Sequence, residues 1–150
     1  VKRIGAYLFQ AISWVLSRVP NFILYGFADI IFIFLYYLMG YRKKVVFRNL
    51  KNSFPEKSVK ELKSIQKKFY RHLSDVFIEN IALIKMKPER ISKMVEFKNH
   101  DILNDLYSQG KSIVGVTAHY GNWEIFITLP LFSPHTTLCV YKPLNNKFFD

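Results

Sequence analysis

His119 and Glu124 are the two side chains whose types and spacing invite chemistry. On an α-helix, residues with this separation stand about 140° apart and cannot act together. They can meet if a turn at Gly121 folds the histidine back over the start of a helix. Glu124 then hydrogen-bonds one imidazole nitrogen, fixing the tautomer and raising the basicity of the ring, while the other nitrogen is open to take a proton. Such a dyad suits deprotonation of a substrate hydroxyl that itself attacks, so no protein nucleophile is required. No Gly-x-Ser-x-Gly elbow occurs in the chain. On spacing alone, a structural histidine and an ordinary helix-start acid are the better account, because His-x4-Glu is a weak pattern. Metal binding is not expected, since His72, His100 and His135 lack zincin-type spacing. Gly110-Lys111-Ser112 resembles the end of a phosphate-binding loop, but Asp105 stands where that loop needs glycine. Cys139 has no second cysteine to pair with and is expected to be a buried small hydrophobe.

The elements that must position this pair suggest an α/β fold. The apolar run Ile113–Val116 with Thr117-Ala118, bounded by Gly110, reads as a buried strand. Asn122 can cap a helix from Trp123 to about Leu129, stopped at Pro130. His119 then sits at the strand-to-helix edge where open α/β sheets bind ligands. Thr136–Tyr141 reads as a second buried strand and Met94–Phe97 as a short one. His100–Gln109 looks helical, closed by Gly110. Earlier, Lys43–Asn52 forms a helix with an apolar stripe of Val46, Phe47, Leu50 and Phe54. Ser58-Val59-Lys60-Glu61 is a capping box. It opens a longer helix with a stripe of Leu62, Ile65, Phe69, Leu73, Val76, Asn80 and Ile84, stopped by Pro88. A parallel sheet begun near residue 113 needs more strands than this chain supplies, so a fragment of a longer protein is expected. Residues 1–41 read as a membrane-anchoring helical segment, and residues 42–150 as the start of a sheet domain incomplete at its C-terminus.

Half of the 150 residues are apolar and 17% are aromatic, which excludes a disordered tail. The net charge is +11, and residues 41–71 hold eleven basic groups against two acids, +9 of that total. This stretch directly follows Phe22–Met39, eighteen residues with one charge, Asp29. Extended to Tyr41, the segment approaches the length a bilayer span needs. Tyr36, Tyr37 and Tyr41 at its end resemble an interfacial belt, and Arg42-Lys43-Lys44 assign that end to the cytoplasm. A very apolar core helix is the alternative. Ile4–Leu16 is too short to span and fits an interfacial helix or half of a re-entrant hairpin. The basic stretch would attract anionic lipid or an acidic carrier protein. Nucleic acid is disfavoured, because the aromatic residues fall on the apolar stripes and not between the cations as stacking platforms.

The string Thr117-Ala118-His119-Tyr120-Gly121-Asn122-Trp123-Glu124 resembles the first signature block of the lipid A biosynthesis acyltransferases. These are the late lauroyl/myristoyl transferases of the lysophospholipid acyltransferase superfamily. Arg42-Lys43-Lys44 leading to Asn49-Leu50, Ser53-Phe54-Pro55-Glu56 and Phe69-Tyr70-Arg71 are similar to the family's N-terminal half, and Tyr141–Asn146 to its segment after a second strand. The resemblance implies a membrane-anchored enzyme on the cytoplasmic face of a Gram-negative inner membrane. It would move a fatty acyl group from acyl carrier protein to a hydroxyl on a lipid A precursor, without a cofactor. By the motif, His119 is the general base and Glu124 its orienting partner. Amides near Gly121, Asn122 and Trp123 would form an oxyanion site, and Lys142 would meet a phosphate or sugar carboxylate of the acceptor. The family's downstream blocks would lie after Asp150. Two alternatives remain: an acyl-CoA-dependent acyltransferase on another glycolipid or phospholipid, and a non-enzymatic membrane-surface adaptor using the basic helices.

Overall fold

The computed structural model describes residues 2–140. They are largely helical, and no strand forms among them. The backbone divides into two compact units, one of Val19–Ile81 and one made of the described residues up to Arg18 and from Ala82 onward.

The Val19–Ile81 unit begins with α2 (Asn21–Ile33), whose internal ridge is Leu24, Ala28 and Phe32, all buried. The helix continues into one π-helical turn, Phe34–Leu38, in which the Met39 amide donates to the Phe34 carbonyl at 2.8 Å. Together Asn21–Leu38 is the one described helical stretch long and apolar enough to cross a membrane. The wider turn gathers rings: Tyr36 stacks on Phe32 at 5.6 Å and meets Tyr37 edge-on at 4.9 Å. Gly40, at φ +60°, ends the helix in the left-handed region that glycine enters without strain. Arg42 occupies the same region at φ 50°, an uncommon position for a side chain of this size, and starts α3 (Lys43–Ser53).

Ser58 and Glu61 open α4 (Val59–Leu83) with the reciprocal bonds that a capping box requires. The Ser58 amide donates to the Glu61 carboxylate at 2.9 Å, and the Glu61 amide donates to the Ser58 hydroxyl at 3.3 Å. The Ser58 hydroxyl, which also donates to that carboxylate at 2.7 Å, and then the Ser58 amide hold the Glu61 carboxyl below the usual carboxylate range. A lowered folded-state pKa means that the stabilisation is complete above the unfolded value and is lost as pH falls toward the folded one. The stability gap between wild type and Glu61→Ala, read from denaturant curves, is therefore expected at neutral pH and should close on acidification. A gap that persists in acid would show that the box is not the source. Ser58→Ala is expected to cost about 1 kcal/mol.

The buried seam of α4 within this unit is Leu62, Gln66, Tyr70, Ser74 and Ile78. This differs from the expected stripe. Leu62 is shared, but Phe69 is 42% exposed and Ile84 55%. Steps of four residues drift by about 40° each and follow the inclined ridge by which helices interlock. The polar members fit because they are hydrogen-bonded: Gln66 donates to the Lys43 carbonyl at 2.7 Å, and Ser74 to the Tyr70 carbonyl at 2.9 Å. Tyr70 donates to the Tyr41 carbonyl, and its ring meets Tyr36 at 5.4 Å. Lys60, Lys63, Lys67, Lys68 and Arg71 are exposed. Pro88 does not stop α4, which has already ended at Leu83; it occupies the first turn of the next helix, where its missing N–H is harmless.

The second unit contains α1 (Lys2–Leu16), α5 (Pro88–Met94), α6 (Asp101–Ser108) and a 3-10 helix, Trp123–Leu131. Arg90 of α5 donates to the Ser17 carbonyl just after α1, at 2.9 Å. Gly110, at φ +67°, closes α6 in a Schellman arrangement: its amide donates to the Tyr107 carbonyl and that of Lys111 to the Leu106 carbonyl. Phe97 packs against Phe126 and Phe132 at 5.8 and 5.0 Å.

The α/β expectation fails in this unit. Residues 111–118 and 136–140 run without a paired neighbour, and 95–97 are irregular. Val114 and Val116 are more than 90% exposed, as is Val140. A strand is completed only by hydrogen bonds to another strand, so apolar, β-branched composition does not by itself make one. Cys139 is correspondingly exposed and not buried. Tyr141, the last residue of the second expected strand, lies outside the described residues, as does Lys142.

Candidate functional site

The segment from Lys111 leads to a tight turn at His119–Gly121. The Tyr120 amide donates to the Ala118 carbonyl at 2.8 Å, and Gly121 follows at φ +58°. A Cβ on Gly121 would meet nothing within 4 Å, so conformation and not space favours glycine there. The turn carries the His119 ring onto Trp123, with centroids 4.4 Å apart and planes tilted by 50°.

Trp123 begins the 3-10 helix, and Glu124 lies in its first turn. Asn122 occupies the N-cap position but makes no side-chain cap bond, so the expected Asn122 cap is absent. The expected α-helix ending at Pro130 is instead a 3-10 helix that contains Pro130. A proline inside an α-helix clashes with the carbonyl four residues back, and the run Ile125, Ile127, Thr128 is β-branched; both weaken the α form. The buried Thr128 hydroxyl donates to the Ile125 carbonyl at 2.7 Å. Gly121, Asn122 and Trp123 precede the first backbone bond of the helix, from the Ile125 amide to the Asn122 carbonyl at 3.2 Å.

His119 and Glu124 are both exposed, and no hydrogen bond joins them among the described residues. The turn thus brings His119 to Trp123 and places Glu124 one residue beyond. The arrangement leaves the His119 side chain exposed with its ring against an indole, which can receive an extended substrate but encloses none. Among the described residues no cluster of three His, Cys, Asp or Glu is placed to hold a metal ion.

Sequence reasoning missed a second feature, in the Val19–Ile81 unit. An apolar cleft is lined by Tyr41, Val45, Val46, Phe69, Tyr70 and Leu73, with Arg42 and Asn49 beside them. Its signal in the sequence is weak, because the left-handed backbone of Arg42 is a property of the turn that Gly40 permits.

The chain matches the family model for bacterial lipid A biosynthesis acyltransferases over residues 1–150. It belongs to that family. The His-x-Gly-Asn-Trp-Glu block therefore sits in a lipid A biosynthesis acyltransferase, a membrane-associated class of enzyme. No curated protein and no solved structure matches the chain.

Proposed function

We propose that this acyltransferase takes its fatty acyl group from acyl carrier protein and places it on a hydroxyl of a lipid A precursor, at the cytoplasmic face of the inner membrane. In this reading residues 1–41 anchor and residues 42–150 begin the acyltransferase domain. The observation that carries the proposal is the Gly121 turn, which sets His119 against Trp123 one residue before Glu124. His119 removes the acceptor hydroxyl proton as the oxygen attacks the thioester carbonyl. The tetrahedral oxyanion is met by amides of Gly121, Asn122 and Trp123 at the helix start. The C–S bond then breaks, the carrier thiolate leaves, and the imidazolium returns the proton to it. Glu124 orients the ring and stabilises its charged form. Both side chains are exposed, and such bonds tighten when substrate seats.

Support for the carrier comes from the +9 stretch of residues 41–71, whose lysines on α4 are exposed and would steer an acidic protein. Lys142, outside the described residues, is assigned to an acidic group of the acceptor. The test supplies purified enzyme with a lipid A precursor and either acyl carrier protein or coenzyme A bearing the same chain. The precursor is expected to gain one acyl mass with the carrier donor, with KM for the carrier rising as salt screens the patch. Equal or better use of acyl-CoA, with no salt effect on KM, would overturn the donor assignment.

A further inference from the structure

We infer that α2 and its π-turn lie in the plane of one membrane face, with lipid along one flank and α4 along the other, and do not cross the bilayer. The inference rests on the membrane association of the family and sharpens how that association is made. By length and composition alone Asn21–Leu38 passes as a span. Its neighbours argue otherwise. Near its start Tyr25 donates to the Glu79 carboxylate at 2.7 Å. Midway, Asp29 pairs with Arg71 at 3.5 Å, and the Arg71 guanidinium lies over the Phe32 ring at 5.2 Å. At its end Tyr36 meets Tyr70. Thus α4 accompanies this helix from Tyr25 to Tyr36.

The partner helix cannot follow a span into hydrocarbon. Its residues along this contact include Lys67, Lys68, Arg71, His72, Asp75 and Glu79. The Asp29–Arg71 pair is decisive, because it sits at the middle of the apolar stretch, where a span would place it at the bilayer centre. Its two side chains are 58% and 61% exposed, an arrangement that a hydrocarbon surrounding would penalise heavily. Charges at the centre of a membrane are held in a protein interior or a water-filled cavity, and the described residues do not enclose this pair.

The other flank is apolar and open. Phe22, Ile30 and Leu38 are 77%, 62% and 73% exposed, with Phe27 and Phe34 between them. An apolar flank beside a +9 stretch matches one leaflet of an anionic bilayer: acyl chains meet the rings, and headgroup phosphates meet the cations.

Depth measurement separates the arrangements. In a Cys139→Ser background, the full protein carries one spin label at Phe22→Cys, Ile30→Cys or Leu38→Cys, in vesicles of phosphatidylethanolamine and phosphatidylglycerol. Relaxation by oxygen and by a water-soluble nickel complex gives the depth of each label. All three are expected at one shallow depth, roughly 5–10 Å into the interface. An Ile30 label deeper than both others by about 12 Å, the rise of eight helical residues, would establish a span and overturn the inference. Three labels in bulk water would overturn it as well, and would in addition remove this helix from the membrane reading itself.

Discussion

Replacing His119 with alanine is expected to lower acyl transfer about 10²- to 10⁴-fold, the usual contribution of a general base. The fold should survive. The ring is exposed and tilted against Trp123, so its removal opens no buried cavity. Helical content and vesicle binding are therefore expected to match wild type while turnover falls. Glu124→Gln should fall less far, because in the proposed mechanism it removes an orienting charge and leaves the base. Single-turnover rates on purified protein separate loss of chemistry from loss of binding. Wild-type turnover by His119→Ala would remove the histidine from the mechanism, and the amides at the helix start would then be the only catalytic groups left to the block.

The largest effect on stability is expected at Tyr70, which is 1% exposed. Its ring meets Phe69 at 5.3 Å and Tyr36 at 5.4 Å, and its hydroxyl donates to the Tyr41 carbonyl. That bond pins the turn between the π-helical segment and α3, where Gly40 and Arg42 both adopt positive φ. Tyr70→Ala leaves a cavity and an unbonded carbonyl together. By analogy with other large aromatic truncations it should cost about 3–5 kcal/mol, a large share of the ~5–15 kcal/mol that holds a typical domain. Tyr70→Phe keeps the ring and loses only the hydrogen bond, for about 1–2 kcal/mol. Denaturant midpoints of the two variants in lipid or detergent test the ordering. Equal midpoints for alanine and phenylalanine would mean that the ring contributes nothing, which its burial contradicts.

The reach of the sequence is clearest where signals are local. Ser58 and Glu61 are three residues apart, and the capping box they announce is formed. Gly110 was legible as a helix end and Gly121 as a turn, because a left-handed residue favours glycine whatever lies around it. Of the buried α4 seam only Leu62 was legible. Hydrophobicity singles out Phe69 and Ile84, whereas the buried positions include Gln66 and Ser74. Those two are acceptable inside only because the Lys43 and Tyr70 carbonyls accept from them, and the Lys43 partner is 23 residues away from Gln66. The apolar runs around Val114 and Val140 misled for the opposite reason, since their strand-like composition has no partner strand among the described residues.

By itself the sequence determined the capping box at Ser58, the helix end at Gly110, the concentration of charge in residues 41–71, and, through the match over its whole length, membership of the lipid A biosynthesis acyltransferases. These are matters of neighbouring residues and of composition, which need no third dimension. Only the tertiary structure decided that no sheet forms among the described residues, that Asp29 is paired with Arg71, and that His119 rests on Trp123 without bonding Glu124. Each depends on which groups meet across space. Strand pairing, ion pairing and ring orientation are set by distances that the order of residues along the chain does not contain.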